Sequence, residues 1–139
     1  MILLDTNVLS ALMRQRPDIA VIGWLDRQAR TSVWTTSVTV LEIRFGLQVM
    51  TTGKRRSLLV AAFERLLAEL IQQRIAAFDS EAAQRAADLM AMRQKQGRSG
   101  ELRDSMIAGI ALATHATLAT RNVKHFDDLS LTVLNPWEA

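Results

Sequence analysis

The chain has 139 residues, of which 49% are hydrophobic and 22% are charged, as expected of a soluble globular protein that forms one domain. Seventeen lysines and arginines against fourteen acidic residues give a net charge of +3, which permits contact with nucleic acids without requiring it. The absence of cysteine excludes a disulfide framework, a zinc–thiolate site and a thiol nucleophile, and two histidines supply a zinc site poorly.

Apolar runs in this sequence are short. None reaches the roughly 18 residues that are needed to span a bilayer. Asp5 also interrupts the N-terminus before a secretory hydrophobic region forms. We therefore expect a cytoplasmic protein with no membrane partner.

Short apolar runs alternate with amphipathic segments along the whole chain. The strands are predicted at residues 2–4, 33–37, 75–78, 117–120 and 131–134. The helices are predicted at residues 8–12, 18–30, 39–50, 54–73, 80–96 and 102–115. This alternation is typical of an α/β protein. We expect one domain, residues 1–139, with a mainly parallel twisted sheet of about five strands flanked by helices.

Local signals refine this prediction. Thr39 followed by Glu42 matches a capping box and places the start of the third helix at Thr39. The last helix is rich in Ala and Gly, which predicts close packing against the sheet. The polar segment 97–100 is the best candidate for a mobile loop. The aromatic residues expected in the core are Trp24, Trp34 and Phe45.

Four polar side chains are predicted at one edge of the sheet. Asp5 closes the first strand, Asn122 follows the fourth, and Glu42 and Asp104 fall in the first turns of helices. Because ligands bind at the carboxyl ends of parallel strands, three carboxylates and one carboxamide are expected to converge there. Taken singly, an acid in a first turn is more often a helix cap, which stabilises the helix by ~0.3–1 kcal/mol. Asp5 is the exception, because it closes a buried strand.

Three carboxylates in one cleft repel one another unless protons or cations relieve the repulsion. Oxygen ligands without soft donors select hard divalent ions such as Mg²⁺ or Mn²⁺. Such ions promote the cleavage of phosphate esters by polarising the phosphate and lowering the pKa of a bound water. No histidine or lysine base is then required, which fits the composition of this chain.

Four segments, in this order, resemble the PIN-domain family: MILLDTNVLSAL, SVTVLEIRFGL, LRDSMIAGIALATHATLATRN and VLNPW. The resemblance is specifically to the VapC toxins of bacterial type II toxin–antitoxin pairs, in the FitB-like subgroup, and covers Met1 to Trp137. It implies a Mg²⁺- or Mn²⁺-dependent endoribonuclease that acts as the toxin. The partners that it implies are an RNA substrate, a second copy in a homodimer, a VapB-type antitoxin, and operator DNA bound only through the antitoxin.

The resemblance also implies roles for individual residues. Asp5, Glu42 and Asp104 match the three acids of the family, which are catalytic and bind the metal. Asn122 takes the fourth catalytic position, where other members carry Asp, so the site loses one formal charge and should bind a second metal more weakly. The positions that orient these groups in the same cleft are Thr6 and Thr120.

Charged residues near this edge have competing interpretations. The candidates for binding RNA phosphates are Arg98, Arg103, Arg121 and Lys124. The trio Lys54-Arg55-Arg56 is expected to be solvated surface rather than an RNA contact. His125 is expected at the surface or on a phosphate, not as a general base. Asp127 and Asp128 either offset the missing charge at Asn122 or form a solvated turn.

Two other functions remain to be weighed. The Asn122 departure keeps open a non-catalytic module that binds the antitoxin and co-represses transcription through the antitoxin–DNA complex. A receiver-like phospho-acceptor domain also places an Asp at a strand end, but Glu42 lies inside a helix and no acid pair follows the first strand. Metal-dependent cleavage of RNA separates the nuclease from the binding module.

Overall fold

The structure, a computed structural model that describes residues 1–139, contains five strands in one parallel sheet. The strands are β1 (Ile2–Leu4), β2 (Val33–Thr36), β3 (Ile75–Ala76), β4 (Thr117–Ala119) and β5 (Val133–Leu134). Their order is β3-β2-β1-β4-β5, and every neighbouring pair is parallel. The predicted fold class is therefore confirmed.

Six α-helices connect the strands. They are α1 (Thr6–Met13), α2 (Ile19–Asp26), α3 (Ser37–Val49), α4 (Lys54–Arg65), α5 (Ser80–Lys95) and α6 (Leu102–Thr114). None of them combines the length and hydropathy that a membrane span needs. The N-termini of α1 and α3 follow the carboxyl ends of β1 and β2 directly, which directs their first backbone N–H groups toward one edge of the sheet.

Two hydrophobic cores cover the two faces of the sheet. Successive residues of β1 point to opposite faces, so Leu3 and Leu4 belong to different cores although both are fully buried. Leu4 packs in the core formed with α1, α2 and α4, which includes Phe63. Leu3 packs in the core formed with α5 and α6, which includes Ile107. This burial on both sides explains why β1 is an uninterrupted apolar run.

The three aromatic residues predicted in the core have different positions. Trp24 is buried, and Trp34 is half-buried against the core on the α5 and α6 side. The prediction for Phe45 is wrong, because its side chain is 58% exposed. Phe45 lies at four-residue spacing from Leu41 and Val49, which are also exposed, so these three form an apolar stripe on the outer face of α3.

Helix α3 begins two residues earlier than predicted. Thr36, at the end of β2, has an extended backbone, and its hydroxyl accepts a hydrogen bond from the N–H of Thr39 at 3.0 Å. Thr36 is therefore the N-cap, and the predicted capping box of Thr39 and Glu42 is wrong. Glu42 lies in the second turn rather than the first.

Other boundaries also differ from the prediction. Helix α1 begins at Thr6, capped by Asp5, and α2 ends at Asp26 instead of continuing to 30. The long helix predicted at 54–73 leaves the α-helical form after residue 65 and continues as a π-helical segment. Gln72 and Gln73 then adopt left-handed backbone conformations, with φ of 50° and 66°, and turn the chain into β3. Strands β3 and β5 are two residues long.

Helix α6 packs most tightly against α5, in addition to the sheet contact that its composition predicted. A Cβ atom built on Gly109 would lie 2.4 Å from the carbonyl oxygen of Ala82 and 2.8 Å from Cβ of Ala86. Backbone atoms of α5 are thus in direct contact with the glycine. The small residues of α6 are needed for the approach of the two helices.

We predict that Gly109→Ala lowers the free energy of unfolding by about 1–3 kcal/mol, because α5 and α6 must separate to admit the methyl group. Urea denaturation followed by circular dichroism measures this change. The matched control is Gly46→Ala in α3, where an added Cβ has no neighbour within 4 Å. The control should gain roughly 0.5–1 kcal/mol from helix propensity. Equal effects of the two substitutions would contradict the packing argument.

Candidate active site

A cleft of about 410 Å³ lies at the carboxyl ends of β1, β2 and β4. It is at the point where the chain order of the strands reverses, since β2 and β3 lie on one side of β1 and β4 and β5 on the other. Ligands of open parallel sheets bind at such a point. The predicted site residues that line the cleft are Asp5, Thr6, Glu42, Asp104, Arg121 and Asn122.

Asp5 is the buried acid of the cleft, with 4% of its surface exposed. Its Oδ1 accepts a hydrogen bond from the N–H of Thr6 at 2.8 Å, which caps α1. Its Oδ2 accepts one from the hydroxyl of Thr120 at 2.7 Å and one from the amide of Asn7 at 3.3 Å. Donors from two neighbouring strand ends therefore fix both oxygens of this carboxylate.

Burial raises the pKa of Asp5 to about 6. The hydrogen bonds from Thr120 and Thr6 act in the opposite direction, because they stabilise the charged form. The negative charges of Asp104 and Glu42 raise the pKa further, which shows that the three carboxylates interact in one cleft. A cation bound between them would relieve both the burial and the repulsion.

Glu42 reaches the cleft from the second turn of α3. Its Oε1 accepts a hydrogen bond from the hydroxyl of Thr6 at 2.9 Å, and its Oε2 lies 3.6 Å from Nη1 of Arg103. The hydroxyl of Thr6 also lies 3.2 Å from that of Thr39. The hydroxyl of Thr6 thus joins the start of α1 to two side chains of α3.

Asp104 lies in the first turn of α6, where the helix N-terminus stabilises its negative charge. Its Oδ2 is 2.9 Å from Nδ1 of His125. The sequence analysis expected His125 at the surface or on a phosphate, and its contact with Asp104 was not predicted. No spacing signal identifies the contact, because it depends on how the turn after β4 folds back over α6.

Asn7 and Thr120 connect the β1–α1 turn to the segment after β4. The amide of Asn7 donates to the hydroxyl of Thr120 at 3.3 Å, and its oxygen accepts from the N–H of Arg121 at 3.0 Å. The hydroxyl of Thr120 accepts from the N–H of Asn122 at 3.1 Å. These bonds hold the backbone of Asn122 beside Asp5, and the sequence analysis did not assign Asn7 this part.

The four basic candidates lie in two neighbouring places. Arg121 lines the cleft, is exposed, and has its guanidinium carbon 4.7 Å from the ring centre of Trp137. Arg103 contacts Glu42. Arg98 and Lys124 line an adjacent pocket of about 310 Å³ that shares Asp104 and His125 with the cleft.

Asp127 and Asp128, which follow Asn122 in the sequence, form ion pairs outside the cleft. Asp127 lies 2.8 Å from Arg98. Asp128 accepts two hydrogen bonds from the buried Arg93, at 2.8 and 2.7 Å, and these bonds lower the pKa of Asp128. The prediction of a solvated turn is therefore wrong for Asp128, whose side chain is 14% exposed, but Asp127 remains exposed to solvent. Neither acid lines the cleft, so neither replaces the charge missing at Asn122.

The family of the chain follows from its match to known proteins. Residues 2–130 match the PIN domain. The chain belongs to the PIN domain family. The five-stranded parallel sheet flanked by helices is therefore the fold of a PIN domain.

Three relatives match almost the whole length of this PIN domain protein. It is 40% identical to plasmid stability protein StbB of Pseudomonas syringae pv. tomato over 139 residues, 100% of both chains. It is 38% identical to VapC ribonuclease Y4jK of Sinorhizobium fredii over 138 residues and 34% identical to toxin FitB of Neisseria gonorrhoeae over 137 residues, in each case 99% of both chains. The crystal structure of FitAcB from Neisseria gonorrhoeae superposes with a TM-score of 0.89 and 33% identity, covering 100% of both chains. The resemblance to VapC toxins of the FitB-like subgroup is confirmed.

The donors of the cleft suit a divalent ion, although they do not enclose one. No three histidine, aspartate or glutamate side chains form a group that would hold a metal ion, so the expected ligand set of Asp5, Glu42 and Asp104 is not assembled. Both carboxylate oxygens of Glu42 contact other side chains, those of Thr6 and Arg103. Mg²⁺ keeps several waters and needs only one or two carboxylates from a protein.

We predict that ionisation of Asp5 destabilises the metal-free protein as the pH rises. The pKa is about 6 in the folded chain and near 3.8 in the unfolded chain, so the folded state binds the proton more tightly. The free energy of unfolding should therefore fall between pH ~4 and ~6, by about 3 kcal/mol, and stay low above that range. Urea denaturation of the wild type and of Asp5→Asn measures the effect as their difference at each pH. A difference that does not change between pH 4 and 7 would contradict it.

Proposed function

We propose that the protein is the toxin of a type II toxin–antitoxin pair and acts as a divalent-metal-dependent endoribonuclease. The observation that carries this proposal is the convergence of Asp5, Glu42, Asp104 and Asn122 in one cleft lined with oxygen donors. The chain also shares its full length with a VapC ribonuclease and with a toxin. We infer that residues 1–139 form one nuclease domain and that it acts in the cytoplasm, where its RNA substrates are.

Mg²⁺ or Mn²⁺ is the proposed cofactor, held by Asp5 and Asp104. When bound, the ion supplies Lewis-acid polarisation of the phosphodiester. Glu42 lies in the same cleft and adds negative charge that favours the ion. Arg103 contacts Glu42 and also Glu101, a fourth carboxylate that lines the cleft, so it offsets part of their negative charge. Because Asn122 leaves the fourth catalytic position without a charge, we expect one tightly bound ion per chain.

The other residues of the cleft hold the acids and receive the RNA. Thr120 and Thr6 orient Asp5 and Glu42 through their hydroxyl groups. Asn122 is exposed, lines the cleft, and offers its side-chain carbonyl oxygen for the ion or for one of its waters. The exposed guanidinium of Arg121 is placed to contact an RNA phosphate without a direct tie to an acid.

Arg98, Lys124 and Arg103 complete the proposed RNA-binding surface. Arg98 and Lys124 line the pocket next to the cleft, where a strand of RNA passing Asp104 would continue. Arg98 keeps its pair with Asp127, and the carbonyl of Lys124 accepts a hydrogen bond from Arg98 at 2.9 Å. The ammonium of Lys124 thus remains exposed for a phosphate.

Two surfaces support the proposed protein partners. The apolar stripe of Leu41, Phe45 and Val49 on α3 is the surface that we propose for the homodimer, because a second copy would cover these three exposed side chains. A groove of about 790 Å³ between α1 and α4 has an apolar floor and a basic rim that includes Arg14 and Arg65. We propose that it receives an apolar and acidic segment of a VapB-type antitoxin, through which the complex binds operator DNA.

We predict that Asp5→Asn and Asp104→Asn each lower metal-dependent RNA cleavage at least ~100-fold, because each removes a charged oxygen ligand of the ion. The assay follows cleavage of a mixed pool of structured RNAs by the purified, antitoxin-free protein in Mg²⁺ or Mn²⁺. Asp26→Asn is the matched control, since Asp26 is an exposed acid at the end of α2, and it should cleave at the wild-type rate.

Two outcomes would contradict the nuclease assignment. If the Asp5→Asn variant cleaves RNA at the wild-type rate, the acidic cleft is not the site of the reaction. The second outcome is a wild-type chain that cleaves no RNA but binds its antitoxin and raises the affinity of the antitoxin for operator DNA. That result would identify the protein as the non-catalytic binding module.

A further inference from the structure

The imidazole ring of His125 contacts Asp104 but is not one of the residues that match the acids of the family. Nδ1 of His125 lies 2.9 Å from Oδ2 of Asp104. An ionised carboxylate only accepts hydrogen bonds, so Nδ1 carries the hydrogen and donates it. The imidazole side chain is 55% exposed, whereas the carboxylate of Asp104 is mostly covered. The contact therefore fixes one oxygen of Asp104 at the mouth of the cleft and leaves the other free.

A buried arginine of α5, Arg93, holds the backbone of His125 in place. The side chain of Arg93 is 4% exposed, and its Nη2 donates to the carbonyl of His125 at 2.8 Å. The same guanidinium makes a two-point bond with Asp128, three residues further along the turn. Phe126 between them is fully buried in the core. These contacts anchor the backbone on both sides of the imidazole.

We propose that His125 is a positioning residue that orients the carboxylate of Asp104 for a divalent ion. The inference rests on the proposed function. A carboxylate in the first turn of a helix rotates about two side-chain bonds, and a fixed donor on one oxygen restricts that rotation before the ion arrives. Groups that hold a ligand in this way typically change metal affinity by 10–100-fold when they are removed. The bond from Arg93 fixes the backbone of His125, so the imidazole is attached to an anchored segment of the chain.

The test is calorimetric titration of the full-length, antitoxin-free protein with Mn²⁺ alone, which reads ion affinity independently of RNA cleavage. His125→Leu removes the donor, and we expect Mn²⁺ affinity to fall about 10-fold or more. His125→Asn keeps an N–H donor near the position of Nδ1, so its affinity should stay within about threefold of the wild type. His115→Asn is the matched control, because His115 is exposed at the end of α6, and its affinity should equal that of the wild type.

The outcomes separate this inference from the function on which it rests. Equal Mn²⁺ affinity of the wild type and His125→Leu overturns the inference alone, and so does an equal loss in the Leu and Asn variants. A wild-type chain that binds no Mn²⁺ and cleaves no RNA overturns the proposed function together with the inference. Thermal melts of each variant verify that the fold is retained, as expected for a side chain that is half exposed.

Discussion

Burying an ionised carboxylate is unfavourable unless donors or cations compensate for the lost water, and Asp5 is buried where the central strand ends. Three donors from two segments surround it: the N–H of Thr6, the hydroxyl of Thr120 and the amide of Asn7. Even with these bonds, the pKa of Asp5 is raised to about 6. The hydrogen bonds thus compensate only partly for the burial of the Asp5 carboxylate, and a cation in the cleft would add to that compensation.

The sheet order determines which residues meet this charge. Because β1 lies between β2 and β4, the segments that leave these three strands reach the same edge. α3 leaves β2 and carries Glu42, while the segment after β4 carries Asn122. α6 precedes β4 and contributes Asp104 from its own N-terminus. Three elements that are distant in sequence from Asp5 therefore reach the same cleft, and small-residue packing at Gly109 sets how closely α6 approaches α5.

The sequence identifies the acids of the cleft because each has a local signal, whereas contacts that depend on the folding of a turn have none. Asp5 closes an apolar run and Asp104 opens a helical pattern, so both were predicted at the sheet edge. Glu42 was placed there through a capping box that does not exist, and it reaches the cleft because the second turn of α3 also faces Thr6. His125 and Arg93 were not predicted together, since 32 residues separate them and only the folded turn joins them.

Asn122 and the ion pairs of Asp127 and Asp128 limit the negative charge of the cleft. An aspartate in place of Asn122 would add a negative charge to the cleft that Asp5 also lines, where burial already raises the pKa of Asp5. Asp127 and Asp128 lie on the same turn and would do the same if they pointed inward, but Arg98 and Arg93 bind them outside. The carboxamide of Asn122 and the two ion pairs have the same effect, because each keeps negative charge out of the cleft. The negative charge that stays in the cleft is therefore that of the acids lining it, and Arg103 contacts two of them, Glu42 and Glu101.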